Sequence, residues 1–253
     1  MRIVYPYMQT KSSEHDIIYG VNPVFEVLRA GRRQLFRAMM NEKVQDQPRM
    51  RKLLDLMEER KVRVAFRPKD QLNQQCNSTE HQGVILEAAS YPYSPIEPCW
   101  EQNRLLLLDN IEDPQNLGAI IRSAEILGFH YILIPQRGVP GIYPSVVKAA
   151  AGATEHVHIV QSGSAVRYAQ RAAENGYQVV ALDAGGKDLL AELPARLGEK
   201  FLLVIGGEDK SVGQYILNNA DFVAGIPQTG RVNSLNASVA AGIAMYALGT
   251  RDE

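Results

Sequence analysis

From residue 104 onward the sequence alternates short, almost uninterrupted apolar runs with amphipathic stretches of helical period. No other feature limits the fold as much. The runs 105–109, 131–134, 156–160, 178–182, 201–205 and 222–226 are strand-sized, and their residues are apolar in succession instead of alternating with polar ones. Strands of that kind are buried on both faces, which predicts a parallel sheet with helices on either side. Helical periodicity predicts helices over 117–127, 165–175 and 235–248, with a shorter one near 145–150. Ligands of such sheets bind beyond the carboxyl ends of the strands, so the loops that follow the strands are where function is sought.

The first part of the chain has a different texture. Helix-like "NPVFEVLRAG" and "RMRKLLDLMEERK" alternate with strand-like "VRVAF" and "GVILEAA", the pattern of a small α/β unit. The stretch "SYPYSPIEPCWEQN" has three prolines and no apolar period, and reads as a linker. The division expected is an N-terminal extension over 1–15, a small unit over 16–90, a linker over 91–103 and the parallel-sheet unit over 104–253. Neither an internal repeat nor a low-complexity tract is present.

Charge separates the same two parts. Residues 1–95 carry 15 Lys+Arg against 11 Asp+Glu, and residues 96–253 carry 12 against 17. A local cluster at Arg29, Arg32, Arg33 and Arg37 reads either as a solvated face or as an anion-binding surface that grips a nucleic-acid backbone. Two cysteines, Cys76 and Cys99, form neither a metal-ligand spacing nor a disulfide framework, which suits a reducing cytoplasm. The beginning of the chain lacks the pattern of a signal peptide, and its apolar runs are too short to cross a bilayer. A soluble cytoplasmic protein is expected, with no membrane association and no bound metal.

Three loops at predicted strand ends carry unusual residues. In "DPQNLGAIIRSAEILG", Asn116 is expected to cap a helix whose buried face is Leu117, Ile120, Ile121, Ala124 and Leu127. Gly118 costs about 1 kcal/mol relative to alanine inside a helix, so it implies close approach of a phosphate or a backbone. Arg122, one turn later, is expected to lean over that gap towards the helix start, where free N–H groups favour an anion. The second loop, "GGEDKSVG", follows a buried strand with paired glycines and sets Glu208 at its rim. The third, "IPQTGRVNSLNASVAAGIAMYAL", places Ser234, a plausible N-cap, and Asn236 before an Ala/Gly-rich helix that reads as tightly packed. The G-x-G-x-x-G and G-x-x-x-x-G-K-[ST] motifs are absent, which disfavours a nicotinamide-dependent oxidoreductase and a P-loop NTPase.

Taken in order, Asn116-x-Gly118-x-x-x-Arg122, the loop at Gly206 and Glu208, and "IP…GRVNSLNASVAAGI" resemble the SpoU (TrmH) family of RNA 2′-O-methyltransferases. The likeness extends over essentially the whole chain. The stretches "YGVNPVFEVLRAG" and "HQGVILEA" are similar to the substrate-binding unit of that family's ribosomal-RNA branch. Ser211 stands where the family usually has glycine, and Gln228 and Thr229 replace commoner residues.

The resemblance implies an α/β fold whose C-terminal parallel sheet is tied in a trefoil knot, a rare exception to unknotted topology. It implies S-adenosyl-L-methionine as cofactor, held at Gly206, Ile226 and Leu235. It also implies catalytic or orienting roles for Asn116, Arg122, Glu208, Ser234 and Asn236. Transfer of a methyl group to a ribose 2′-hydroxyl, most often of a guanosine in 23S ribosomal RNA, and a homodimer are further implications. A transfer-RNA substrate, or a non-catalytic RNA-binding role in ribosome assembly, is the alternative.

Overall fold

A computed structural model describes residues 15–208, 210–231 and 234–249. The first part contains β1 (His15–Tyr19), α1 (Val21–Ala30), β2 (Leu35–Asn41), α2 (Pro48–Glu59), β3 (Arg63–Arg67), α3 (Lys69–Cys76) and β4 (Val84–Ala89). Its sheet runs β1-β4-β2-β3, antiparallel except for the β2–β3 pair. The expected extension over 1–15 lies outside the described residues except His15, which begins β1.

The second part contains β5 (Arg104–Asp109), α4 (Pro114–Ile126), β6 (Tyr131–Leu133), α5 (Pro144–Ala149), β7 (His158–Val160) and α6 (Ala165–Glu174). It continues through β8 (Gln178–Leu182), β9 (Asp188–Leu189), β10 (Phe201–Gly206), α7 (Gln214–Asn219), β11 (Phe222–Gly225) and α8 (Ala237–Gly249). Its seven strands are ordered β7-β6-β5-β10-β8-β11-β9, and every pair is parallel. The strand expected over 156–160 is shorter, because residues 153–156 close into a 3-10 turn before it.

Alternating residues of the central strands feed two cores. Leu106, Leu108, Leu203 and Ile205 face α4, α8 and the first part of the chain, whereas Leu105, Leu107, Leu202 and Val204 face α6 and α7. That is why the strands read as continuously apolar. The first core runs without a break from α1 and α2 into the large sheet, so the two parts share buried surface.

The segment between the sheets is packed, not loose. The buried Tyr91 donates its hydroxyl to the carbonyls of Thr154 and Val157, Ser94 N–H donates to Ile159 O, and Cys99 is fully buried. Burial pushes the Cys99 thiol up to about 12, so this cysteine is an inert core residue. Cys76 and Cys99 are both free thiols.

The arginine cluster is the largest departure from the sequence reading. Arg33 has a fully buried side chain that donates from Nε and Nη2 to both carboxylate oxygens of Glu155, at 3.1 and 2.6 Å, and from Nη1 to Asp16 at 2.9 Å. Its guanidinium also lies 5.1 Å from the centre of the Tyr91 ring. Arg32 donates to the backbone carbonyls of Glu155 and Val157 at 3.2 and 2.7 Å. Arg29 pairs with Glu26 one helical turn away, and Arg37 with Glu87 across the sheet. Arg32 and Arg33 therefore join the two parts of the chain and are not a nucleic-acid surface. Burial raises the Asp16 carboxyl even though Arg33 pulls it down.

Removing one partner of a buried ion pair leaves the other charge without compensation and costs about 3–5 kcal/mol. Arg33→Ala is expected to lower the unfolding free energy, and with it the midpoint of chemical unfolding, by an amount of that order. Arg29→Ala, whose pair is exposed, should shift it by less than about 1 kcal/mol. Equal midpoints for the two variants would contradict the assignment of Arg33.

Candidate active site

The start of α4 is set by Asp113, not by Asn116 as the sequence suggested. The Asp113 carboxylate accepts from the N–H groups of Gln115 and Asn116 at 3.0 and 3.3 Å, and Pro114 occupies the first turn. With the cap supplied three residues earlier, the Asn116 side chain is released for other contacts. It donates from Nδ2 to Glu208 Oε1 at 3.0 Å and accepts at Oδ1 from Asn236 Nδ2 at 2.9 Å.

Asn236, and not Ser234, caps α8. Its Oδ1 accepts from the N–H groups of Ser238 and Val239 at 3.0 and 3.3 Å and from the Ser238 hydroxyl at 2.6 Å. Its Nδ2 faces the other way and donates to Glu208 Oε1 at 2.6 Å. Glu208 Oε1 also accepts from the Ala237 N–H at 3.3 Å. One carboxylate oxygen thus collects two side-chain amides and a backbone donor at the start of a helix, where free N–H groups favour negative charge. Asn116, Glu208 and Asn236 come from three separate loops, and the structure closes them into a single ring of hydrogen bonds.

Beside this ring opens a cleft of about 190 Å³. Gly206, Ile226 and Leu235 line it, as do Ser234 and Glu208. Leu182, Ile205, Ala237 and Ala240 supply apolar wall, and Asp183, Ser211 and Gln228 supply polar rim. Asp183 escaped the sequence reading. Its only signal there was an acidic residue directly after the predicted strand 178–182.

The paired glycines of this loop were expected to leave room for a ligand; they leave room for the protein's own backbone. A Cβ on Gly206 would press into Val212 N and lie 2.5 Å from Ser211 C. One on Gly207 would press into the Asn110 carbonyl oxygen, with Asn110 C at 2.9 Å. The loop is fixed from β5 by two residues absent from the sequence reading. Asp109 accepts from the Gly213 N–H at 2.9 Å, and Asn110, at φ 58°, donates from Nδ2 to Ser211 O at 3.3 Å. Burial raises the Asp109 carboxyl, and the hydrogen bond from Gly213 opposes it. Ser211 is absent from the described non-glycine residues with positive φ, so serine in place of the family glycine carries no left-handed strain.

Gly118 has the same explanation. It is buried in the second turn of α4 and faces α5, where a Cβ would press into Ala149 Cβ and lie 2.8 Å from Ala150 N. The closely approaching group is a neighbouring helix, not a phosphate. Arg122 is exposed and lies outside the Asn116–Glu208–Asn236 ring. Ile126, one turn later on that face, is 69% exposed. On α8, expected to be tightly packed, Val239, Ile243 and Tyr246 are 50%, 40% and 64% exposed at helical spacing.

Residues 103–246 match the SpoU rRNA Methylase family, and residues 17–94 match the family described as RNA 2′-O ribose methyltransferase substrate binding. YacO of Bacillus subtilis, named as a TrmH family tRNA/rRNA methyltransferase, is 34% identical over 93% of this chain and 95% of its own length. The AdoMet-bound rRNA methyltransferase of Sinorhizobium meliloti superposes with a TM-score of 0.77, at 22% identity, over 93% of this chain and 87% of that one. The SpoU methyltransferase AviRb of Streptomyces viridochromogenes, in complex with AdoMet, gives 0.72 at 21% identity over 93% and 89%. These two likenesses are of fold. The chain belongs to the SpoU family of RNA methyltransferases.

Overpacking a tight contact costs about 1–3 kcal/mol. Gly118→Ala should therefore lower the thermal midpoint clearly, despite alanine's better helix propensity. An unchanged or raised midpoint would return Gly118 to a ligand-facing role.

Proposed function

We propose that this protein transfers a methyl group from S-adenosyl-L-methionine to a ribose 2′-hydroxyl of RNA. The observation that carries the reading is the Asn116–Glu208–Asn236 ring, closed at the start of α8 on the rim of a cleft with apolar walls. Apolar side chains suit a nucleobase, and polar groups at the rim suit a ribose and an amino acid. Gly206, Ile226 and Leu235 would hold the cofactor, and Ser234 would contact it from the same wall. The cofactor supplies an activated methyl group when bound. What is left to the protein is alignment of the 2′-oxygen and exclusion of competing geometries.

The ring gives Asn116, Glu208 and Asn236 a positioning role at the reacting ribose. Arg122 is the group for the adjacent RNA phosphate, because a guanidinium can bind two phosphate oxygens at once and stays protonated. The substrate proposed is a guanosine of 23S ribosomal RNA. It rests on the two-part layout, which the resemblance associates with the ribosomal branch, and on a division at residues 16–90, 91–103 and 104–253. Incubation with labelled cofactor and unmodified total RNA, followed by mapping of 2′-O-methyl sites, tests it. Sites confined to transfer RNA would replace the substrate, and no methylated site would overturn the activity in favour of an assembly factor.

We infer further that the chain is a cytoplasmic homodimer and that its C-terminal part is threaded as a trefoil knot. No helix among the described residues is long and apolar enough to cross a membrane. Exposed Ile126, Val239, Ile243 and Tyr246 support the dimer, since aligned apolar side chains on neighbouring helices favour a self-complementary contact. The knot rests on the family resemblance, and the contacts at Gly206 and Gly207 add only that the loop after β10 packs backbone to backbone.

Arg122→Ala should lower methyl transfer by about 10²–10³, the typical effect of removing one transition-state charge contact. Binding of S-adenosyl-L-homocysteine, followed by calorimetry, should stay within a few-fold of wild type. Near-normal turnover would remove Arg122 from the mechanism. Ile243→Glu should convert the dimer to monomer in size-exclusion chromatography with light scattering; an unchanged mass would place the dimer contact elsewhere.

A further inference from the structure

The cleft holds a second carboxylate, and its surroundings differ from those of Glu208. Asp183 follows β8 directly, and its own N–H continues the ladder by donating to Ala224 O at 2.9 Å. Its Oδ1 accepts from the Gly185 N–H at 2.8 Å, and its Oδ2 accepts from the Ser211 hydroxyl at 2.6 Å. These two bonds hold the carboxylate from two directions, one from its own turn and one from the loop after β10. Each oxygen keeps a further acceptor site, since an ionised carboxylate has about four.

Glu208 follows β10, next to β8, so it is the partners of the two acids, not their strands, that set them apart. The strands are ordered β5-β10-β8-β11, so the β8 end lies two strands from the β5 end that leads into Asn116. At about 4.8 Å per strand this is roughly 10 Å. Glu208 is bonded to Asn116 and Asn236 on the α4 and α8 side, whereas Asp183 stands on the β8 side, in a wall shared with Leu182 and Ala184. A ligand filling the cleft from the ring outward presents its reacting end to the ring and a more distant part to Asp183.

We propose that Asp183 recognises the vicinal diol of the cofactor's ribose and that Ser211 is its positioning residue. The inference rests on the cofactor reading above. Two fixed, neighbouring acceptor oxygens, each with a free acceptor site, match two neighbouring hydroxyl donors. The Ser211 hydroxyl also ties the β8 turn to the glycine loop, so the two cleft walls are held at a set separation. This gives the serine found in place of the family glycine a task that glycine cannot perform.

The test is calorimetry of the full chain with two probes, S-adenosyl-L-homocysteine and 5′-methylthioadenosine. The second keeps the ribose diol and lacks the amino acid. A hydrogen bond to a charged group contributes enough that Asp183→Ala should weaken both probes about 10- to 100-fold. Ser211→Ala, an exposed and conservative change, should weaken both by a smaller factor. In turnover assays both variants should raise KM for the cofactor and keep kcat near wild type at saturation, a split that a merely structural defect would not produce. A loss for S-adenosyl-L-homocysteine alone would assign Asp183 to the amino-acid end and overturn the proposal. Unchanged affinity for both probes would overturn it as well. Failure of the wild-type chain to bind either probe would overturn the cofactor reading itself, which is a separate outcome.

Discussion

Backbone segments touch at the carboxyl end of the large sheet with no side chain between them, and the candidate site depends on those contacts. Gly206 lies against Ser211 and Val212, and Gly207 lies against the carbonyl of Asn110. Only with such contacts can the loop after β10 turn back tightly enough to carry Glu208 over to the starts of α4 and α8. Asp109 and Asn110, at the end of the neighbouring strand β5, then fasten the same loop through Gly213 and Ser211. A methyl group at either glycine would push the loop outward and separate Glu208 from Asn116 and Asn236. The site is held by close packing as much as by its polar groups.

A second constraint joins the halves of the molecule. The Arg33 guanidinium, buried between Asp16 and Glu155, is anchored on one side by β1 and on the other by the turn that precedes β7. Desolvating three charged groups is expensive, and the hydrogen bonds among them offset that expense only while all three are present. Such a cluster fixes orientation more than it adds stability. It keeps the first part of the chain at one angle to the large sheet. Arg32 and Arg33 are taken up by this junction.

The large sheet was legible because burial on both faces leaves a continuous apolar signature, and every strand of five residues or more in it was read to within one residue at either end. Two elements of that part were missed: β9 has two residues, and α7 buries only Ile216. In the first part, α3 buries only Leu72 and shows no apolar period, and β2 carries an exposed Arg37 within its run. Asn116, Glu208 and Asn236 stood out together in an ordered motif, and the structure brings these three into one ring, whereas Arg122 lies outside it. The local jobs of individual residues were not legible. Capping by Asp113 and Asn236, the packing of Gly118 on α5 and the burial of Arg33 all depend on neighbours more than twenty residues away or on which of several adjacent polar residues the backbone selects. Arginines four residues apart look alike in sequence, and only the partner decides which is solvated and which is buried.

The choice of amides at two corners of the ring follows from what each corner has to do. Asn116 donates to Glu208 and accepts from Asn236, and Asn236 donates to both while its oxygen caps α8. Each needs a donor and an acceptor on one short side chain, which only an amide supplies at that length. Aspartate at either corner would have nothing to donate and would set a second negative charge about 3 Å from Glu208, a repulsion of roughly 1–5 kcal/mol between water-like and surface-like screening. A single carboxylate met by two amides and a helix start therefore holds three loops in register. Arg122 is exposed and takes no part in that ring, so the ring's geometry is set without it.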